Sequence, residues 1–185
     1  MRYDPFRRNR RSIRLPSHDY AAPGAYFITI CAQDHECMFG EVEAGTVVLN
    51  EYGEIVRECW HDLPSHYDNV VLDACVVMPN HVHGIIVLAG GEVGAGLKPA
   101  PTMRPAPTGV QERRRHGLPE IVRGLKTFSS RRINALRGTA GTPVWQRNYY
   151  EHVVRDEDGL SRIRAYIEDN PRRWVEDEYH PSIAP

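Results

Sequence analysis

The chain has 185 residues, 41% hydrophobic and 25% charged, with a formal net charge of −1, values that suit one soluble globular domain with some excess. No apolar run approaches the ~18 residues of a membrane span, and the basic start MRYDPFRRNRRSIRL lacks the apolar h-region of a secretory signal. The four cysteines (31, 37, 59 and 75) show no CxxC spacing and read as reduced, buried small hydrophobes of a cytoplasmic protein.

The near-neutral total hides a segregated pattern. Residues 2–14 hold six arginines and one acid, and residues 111–137 hold seven arginines and one lysine against two glutamates. Residues 34–62 hold eight acids and only Arg57. Segregation of this kind gives basic faces to a neutral protein. Residues 1–20 read as a basic N-terminal arm and residues 21–180 as a single domain.

In chain order, AYFITICAQ (25–33) is rich in β-branched and aromatic residues and predicts a strand. GEVEAGTVVLN (40–50) turns at Ala44-Gly45 and predicts a hairpin. EYGEIVRECWHDLP (51–64) places Ile55, Val56, Cys59 and Trp60 at helical spacing, with Pro64 just past the end. VVLDACVVM (70–78) and VHGIIVL (82–88) are two strands joined by PNH. Residues 89–110 contain five glycines, four prolines and two copies of PAPT, a composition that cannot bury a core and predicts a flexible loop. From Leu118, the apolar positions 118, 121, 122, 125, 128 and 133 predict an amphipathic helix with basic residues off the stripe. VWQRNYYEHVV (144–154) reads as extended. DEDGLSRIRAYIEDNP (156–171) predicts a last helix with an acidic start, a buried stripe of Leu160, Ile163 and Ile167, and an end near Asn170 before Pro171. The order predicts an α+β fold, an antiparallel sheet with helices packed on it.

The strand VVMPNHVHGIIVL places His81 and His83 at i and i+2, on one face of a strand. Neutral imidazole is a common metal ligand, and two on one face make half of a coordination sphere. The same pair also suits the wet face of a hairpin. Tyr166 and Asn170 lie at i and i+4 on the last helix and share a face. An Asn carbonyl added to two histidines makes a mixed N/O site with open positions, which favours Mg²⁺ or Mn²⁺ over a closed zinc site. A phenol with a pKa near ~10 needs a cation or base to act as a nucleophile. The alternative for Tyr166 is an edge residue with its ring on the core and its hydroxyl in water.

MPNHVH after a strand, the basic helix GLKTFSSRRIN and the segment VWQRNYYEHVVRDEDGLSRIRAYIEDNP together resemble the REP-associated tyrosine transposases, single-tyrosine members of the HUH (His-hydrophobe-His) single-strand DNA transposases. The resemblance runs from about residue 8 to about residue 175. It implies a ferredoxin-like antiparallel sheet with helices on one face. It also implies cutting and rejoining of single-stranded DNA near hairpins. His81, His83 and Asn170 would hold Mg²⁺ or Mn²⁺, and Tyr166 would be the nucleophile, giving a 5′-phosphotyrosine and a free 3′-hydroxyl. DNA contacts are expected from Arg123, Lys126, Ser129, Ser130, Arg131 and Arg132 on the basic helix and from Arg147. Trp145, Tyr149 and Tyr150 are expected as stacking partners for bases. His152 recurs in the family's EH step and is expected to be structural. Residues 89–110 form a longer connection than the family pattern leads one to expect.

Partners would be single-stranded or hairpin DNA and no membrane; a homodimer that exchanges the tyrosine helix and a monomer acting in cis both fit. Two rival readings fit the same residues. One is a DNA-binding protein of this fold that does not cut. The other is a metal-dependent phosphodiesterase that does not use Tyr166.

Overall fold

The computed structural model describes residues 18–90 and 115–183. The N-terminal arm up to residue 17 and residues 91–114, which take in most of the Gly/Pro-rich loop, lie outside the described residues. The first strand, β1 (Gly24–Cys31), is almost wholly buried, and its pleat sends alternate side chains to two different cores. Tyr26, Ile28 and Ile30 enter one cluster, while Ala25 and Phe27 enter another. A strand buried on both faces must lie inside a sheet, and β1 pairs antiparallel with β5 (His81–Leu88) on one side and β6 (Tyr150–Val154) on the other. β4 (Val70–Val77) completes the order β4-β5-β1-β6, and a separate hairpin is formed by β2 (Gly40–Glu43) and β3 (Thr46–Leu49).

The first core lies under α1 (Glu51–His61), the short α2 (Leu63–His66) and α3 (Leu118–Leu136). Asn50 caps α1: its Oδ1 accepts from the backbone N–H groups of Tyr52 and Gly53 at 3.0 and 3.1 Å, which satisfies donors that a helix start leaves open. Trp60 packs directly on the backbone of β5 at Gly84, where any Cβ would overlap the indole ring. Leaving aside the β2–β3 hairpin and α2, the order β1-α1-β4-β5-α3-β6 is β-α-β-β-α-β, and with this strand order the domain is ferredoxin-like.

The last helix, α4 (Glu157–Asp169), departs from the sequence expectation of helices on one face. Leu160, Ile163 and Ile167 pack with Ala25, Phe27 and Ile85, on the face opposite α1 and α3. The physical reason is the double burial of β1 and β5, which leaves a second apolar face to cover. Asp156 caps the helix, its Oδ1 accepting from Gly159 N–H at 2.7 Å. Arg164 clamps it to β4 by two bonds to Asp73, Nε to Oδ1 at 2.8 Å and Nη2 to Oδ2 at 2.6 Å. The side chain of Asp73 is 1% exposed and lies where the β4–β5 register shifts between Leu72 and Cys75, a bulge that re-aims the side chain.

Three further expectations need correction. Phe128 stands at the surface against His66, and the buried stripe of α3 contains Ser129 instead. Residues 144–149 are not continuous strand: Trp145 makes an isolated bridge to Ala32, and β6 begins only at Tyr150. Lys126 holds this stretch against α3, its Nζ donating to the carbonyls of Gln146 and Arg147 at 2.6 and 3.0 Å. Of the cysteines, Cys37 is exposed rather than buried, and all four are free thiols.

Gly84→Ala tests the contact between Trp60 and β5. The added methyl forces the indole or the strand to shift, at a cost of about 1–3 kcal/mol. Chemical denaturation should show that loss, while Gly138→Ala, with open space around it but a positive φ of 68°, should cost less.

A candidate metal and tyrosine site

The β1–β5 register fixes where the two histidines face. Thr29 lies opposite His83 and Cys31 opposite His81, so both imidazoles project from the face that α4 covers. They are 0% and 1% exposed, which removes the wet-hairpin alternative. Their Nε2 atoms approach to 3.0 Å. Each Nδ1 has an oxygen partner: Asn80 Oδ1 at 2.9 Å for His81, and Thr29 Oγ1 at 2.9 Å for His83. Oxygen partners on the outer ring nitrogen orient an imidazole for ligation through the inner one. Phe27 stacks on His83 with ring centroids 5.5 Å apart. Burial pushes the His83 pKa down to about 3, so its ring is neutral, as a metal ligand must be.

α4 brings Tyr166 over this pair. Its hydroxyl lies 3.2 Å from His83 Nε2. Burial raises the phenol pKa well above 10, and the carboxylates of Asp177 and Glu178 push it further up; the Asn170 amide and the Arg173 guanidinium act in the other direction. Without a cation the phenol therefore stays protonated at neutral pH.

The chain continues past Pro171 in a 3₁₀ segment, Asn170–Glu176, and this turn delivers an acid the sequence reading did not single out. Asp177 offers a carboxylate oxygen that, with ligand nitrogens of His81 and His83, falls within a set of atoms all within 4.8 Å of one another. Asn170 Nδ2 donates to Asp177 Oδ2 at 3.1 Å, while Asn170 Oδ1 is buried without a hydrogen-bond partner. A buried acceptor without a donor is costly unless something occupies it. Two imidazoles, a carboxylate and an amide carbonyl form a mixed N/O donor set that suits a divalent cation of the Mg²⁺ or Mn²⁺ type. Tyr179 closes the site from the C-terminal side, its ring centroid 4.6 Å from that of His81. The cavity left between Thr29, His83, Tyr150, Tyr166 and Tyr179 is only about 10 Å³.

The residues expected to contact DNA fall into two groups. Arg123, Arg131 and Arg147 are exposed, and with Lys126, Ser130 and Tyr149 they line a groove of about 910 Å³ between α3 and residues 140–149. Ser129 and Trp145 are interior: Trp145 Nε1 donates to Ser129 Oγ at 2.9 Å, and the indole packs on Phe39. Arg132 points to α1, paired with Glu58. Tyr149 packs toward the α3 side of the sheet and Tyr150 toward the α4 side. His152, opposite Phe27 in the β1–β6 register, lies outside the histidine–aspartate group.

No family model matches the chain. An uncharacterised protein of Haemophilus influenzae is 37% identical over 175 residues, covering 93% of each chain. A second H. influenzae protein, named by inference a REP-associated tyrosine transposase, is 26% identical over 174 residues, 89% of this chain and 85% of that one. Among solved structures, a REP-associated tyrosine transposase bound to a REP hairpin aligns with a TM-score of 0.56 at 16% identity, covering 90% of this chain and 77% of that one. The likeness is one of fold: the chain shares the α+β architecture of that structure. The chain is thus similar in sequence to a protein that bears the name of the REP-associated tyrosine transposases, and in fold to a solved one. No described helix is long and apolar enough to cross a membrane.

The depressed His83 pKa has a consequence for the metal-free protein. A histidine neutral down to pH about 3 in the fold but titrating near ~6.5 when unfolded stabilises fully above pH ~6.5. That stability is lost as pH falls, because the unfolded state takes up the proton first. From pH ~6.5 to ~5 the loss is about 2 kcal/mol. Urea unfolding across this range should show it, and His83→Gln should flatten the slope.

Proposed function

We propose that the protein cuts and rejoins single-stranded DNA beside hairpin repeats, with Tyr166 as nucleophile. The observation that carries this reading is the buried stack of His81 Nε2, His83 Nε2 and Tyr166 Oη, with successive separations of 3.0 and 3.2 Å. It is supported by the likeness to a relative named for the REP-associated tyrosine transposases and by the hairpin DNA bound to the structural neighbour. His81, His83, Asp177 and Asn170 would hold a Mg²⁺ or Mn²⁺ ion. Bound there, the ion would supply positive charge to a non-bridging oxygen of the scissile phosphate and favour the phenolate.

The chain's own residues do the rest. The clamp of Arg164 on Asp73 fixes the height of α4 over the sheet, and so the height of the Tyr166 hydroxyl. Tyr166 gives its proton to solvent and forms an O–P bond as the P–O3′ bond breaks, and the leaving O3′ takes up a proton from solvent, which leaves a 5′-phosphotyrosine and a 3′-hydroxyl. The phosphoester energy is kept, so a 3′-hydroxyl can reverse the step and join strands. With a cavity of only about 10 Å³ beside His83 and Tyr166, the side chains that close the site must move before a phosphate can enter; Tyr179 and Tyr150 are among them.

The groove beside α3 would take the flanking DNA. Arg123, Arg131 and Arg147 present charge to phosphates there, and at the start of the edge strand Tyr149 faces the α3 side and Tyr150 the α4 side.

Two experiments test the reading. Labelled hairpin-flanked single-stranded DNA is incubated with Mn²⁺ and run on a denaturing gel. Wild type should form a covalent adduct and Tyr166→Phe none. Metal-dependent fragments from both proteins without an adduct would favour the phosphodiesterase, and tight binding with neither product would favour a non-cutting hairpin binder. Replacing Arg123, Arg131 and Arg147 together with alanine should lower the slope of log K against log[salt] by about 2–3; an unchanged slope would move the DNA off this groove.

A further inference from the structure

Asn80 of the PNH turn is 0% exposed, and its side chain makes two bonds besides the contact with His81. Its amide nitrogen donates to two backbone carbonyls, those of His35 at 3.0 Å and Tyr179 at 2.7 Å. These bonds settle which way the amide faces, since the flipped form would set an oxygen against two oxygens. Asn80 Oδ1 must then be the atom 2.9 Å from His81 Nδ1. A carbonyl oxygen only accepts, so His81 must carry a proton on Nδ1.

We propose that Asn80 is a positioning residue that fixes the His81 tautomer, so that Nδ1 holds the proton and Nε2 presents its lone pair to the metal position. The inference rests on the reading of this site as a metal centre, but the tautomer itself is a property of the metal-free protein. The partner of His83 behaves differently. Thr29 Oγ1 can donate to or accept from Nδ1 by rotating its hydroxyl, so it supports either tautomer of His83. Asn80, held at both amide hydrogens, supports only one for His81. The same two bonds tie the turn before β5 to the loop after β1 and to the C-terminal segment that covers the site. The ligand that the sheet positions is thereby oriented by segments far from it in sequence.

Imidazole ¹⁵N NMR of the metal-free protein, with His81 identified by the spectrum His81→Gln lacks, reads the tautomer directly. Wild type should show His81 protonated at Nδ1 and bare at Nε2; a proton on Nε2 with Nδ1 bare overturns the proposal. Asn80→Ala should release that preference and weaken Mn²⁺ binding by calorimetry about 10–100-fold. Asn80→Asp keeps an oxygen facing Nδ1 but loses both donated bonds. It should retain the Nδ1 proton and bind Mn²⁺ within a few-fold of wild type. Equal loss of affinity in both variants would mean that Asn80 only braces the turn, and the proposal would fall. If neither variant folds, the wild-type spectrum still decides the tautomer. A wild type with the expected tautomer but no Mn²⁺ affinity would overturn the metal reading instead and leave the Asn80 assignment intact.

Discussion

The whole site depends on the register between β1 and β5. Pairing Thr29 with His83 and Cys31 with His81 puts both imidazoles on the face beneath α4. A slip of one residue would turn them into the core under α1 and α3 and bring Val82 and Gly84 to the α4 side. The register is held from the other face, where Trp60 packs against the one β5 position without a side chain. The large aromatic of α1 therefore helps to position histidines that it never touches. Burial then makes the pair chemically useful: desolvation keeps His83 neutral, and an oxygen partner on each Nδ1 leaves each Nε2 directed inward.

The tyrosine comes to this pair by a second route. α4 is amphipathic and could pack on many surfaces, but the salt bridge from Arg164 to the buried Asp73 ties it to the bulge in β4. The carboxylate of Asp73 is nearly buried, so removing Arg164 would leave its charge largely uncompensated, which is the costly direction for such a pair. Beyond α4 the chain does not leave the site. It turns through Asn170–Glu176 and returns Asp177 and Tyr179 to the histidines. Asp177 has two effects that a cation would reconcile. Its carboxylate raises the Tyr166 pKa when the site is metal-free, and it would supply an anionic donor for an ion that would lower that pKa again.

Much of this was legible in the sequence because two periodicities report it. The period of two in VVMPNHVHGIIVL puts His81 and His83 on one face. The i, i+4 spacing of Tyr166 and Asn170 puts both on one side of α4, and the stripe of Leu160, Ile163 and Ile167 is the buried one. Periodicity says nothing about which face of a sheet a helix covers, so α4 was expected beside the other helices. Asp177 was not visible because it lies past Pro171, where helical spacing no longer applies, in the acid-rich run VEDEYHP; only the tertiary return of the chain links it to Asn170. Asn80 reads as a turn residue, and its role depends on carbonyls at His35 and Tyr179. On α3 the sequence marked Phe128 as core, yet Ser129 is inside because its hydroxyl is satisfied by Leu125 and Trp145. A polar residue with two partners was buried in preference to an aromatic one that could rest on His66.

The central claim is that two imidazole nitrogens of this chain hold a divalent cation beside Tyr166. Pulsed electron paramagnetic resonance of the protein loaded with one equivalent of Mn²⁺ tests it most directly. The account predicts hyperfine coupling to two imidazole ¹⁴N nuclei, falling to one in either His81→Gln or His83→Gln. Bound Mn²⁺ without nitrogen coupling, or coupling unchanged in both variants, would contradict it.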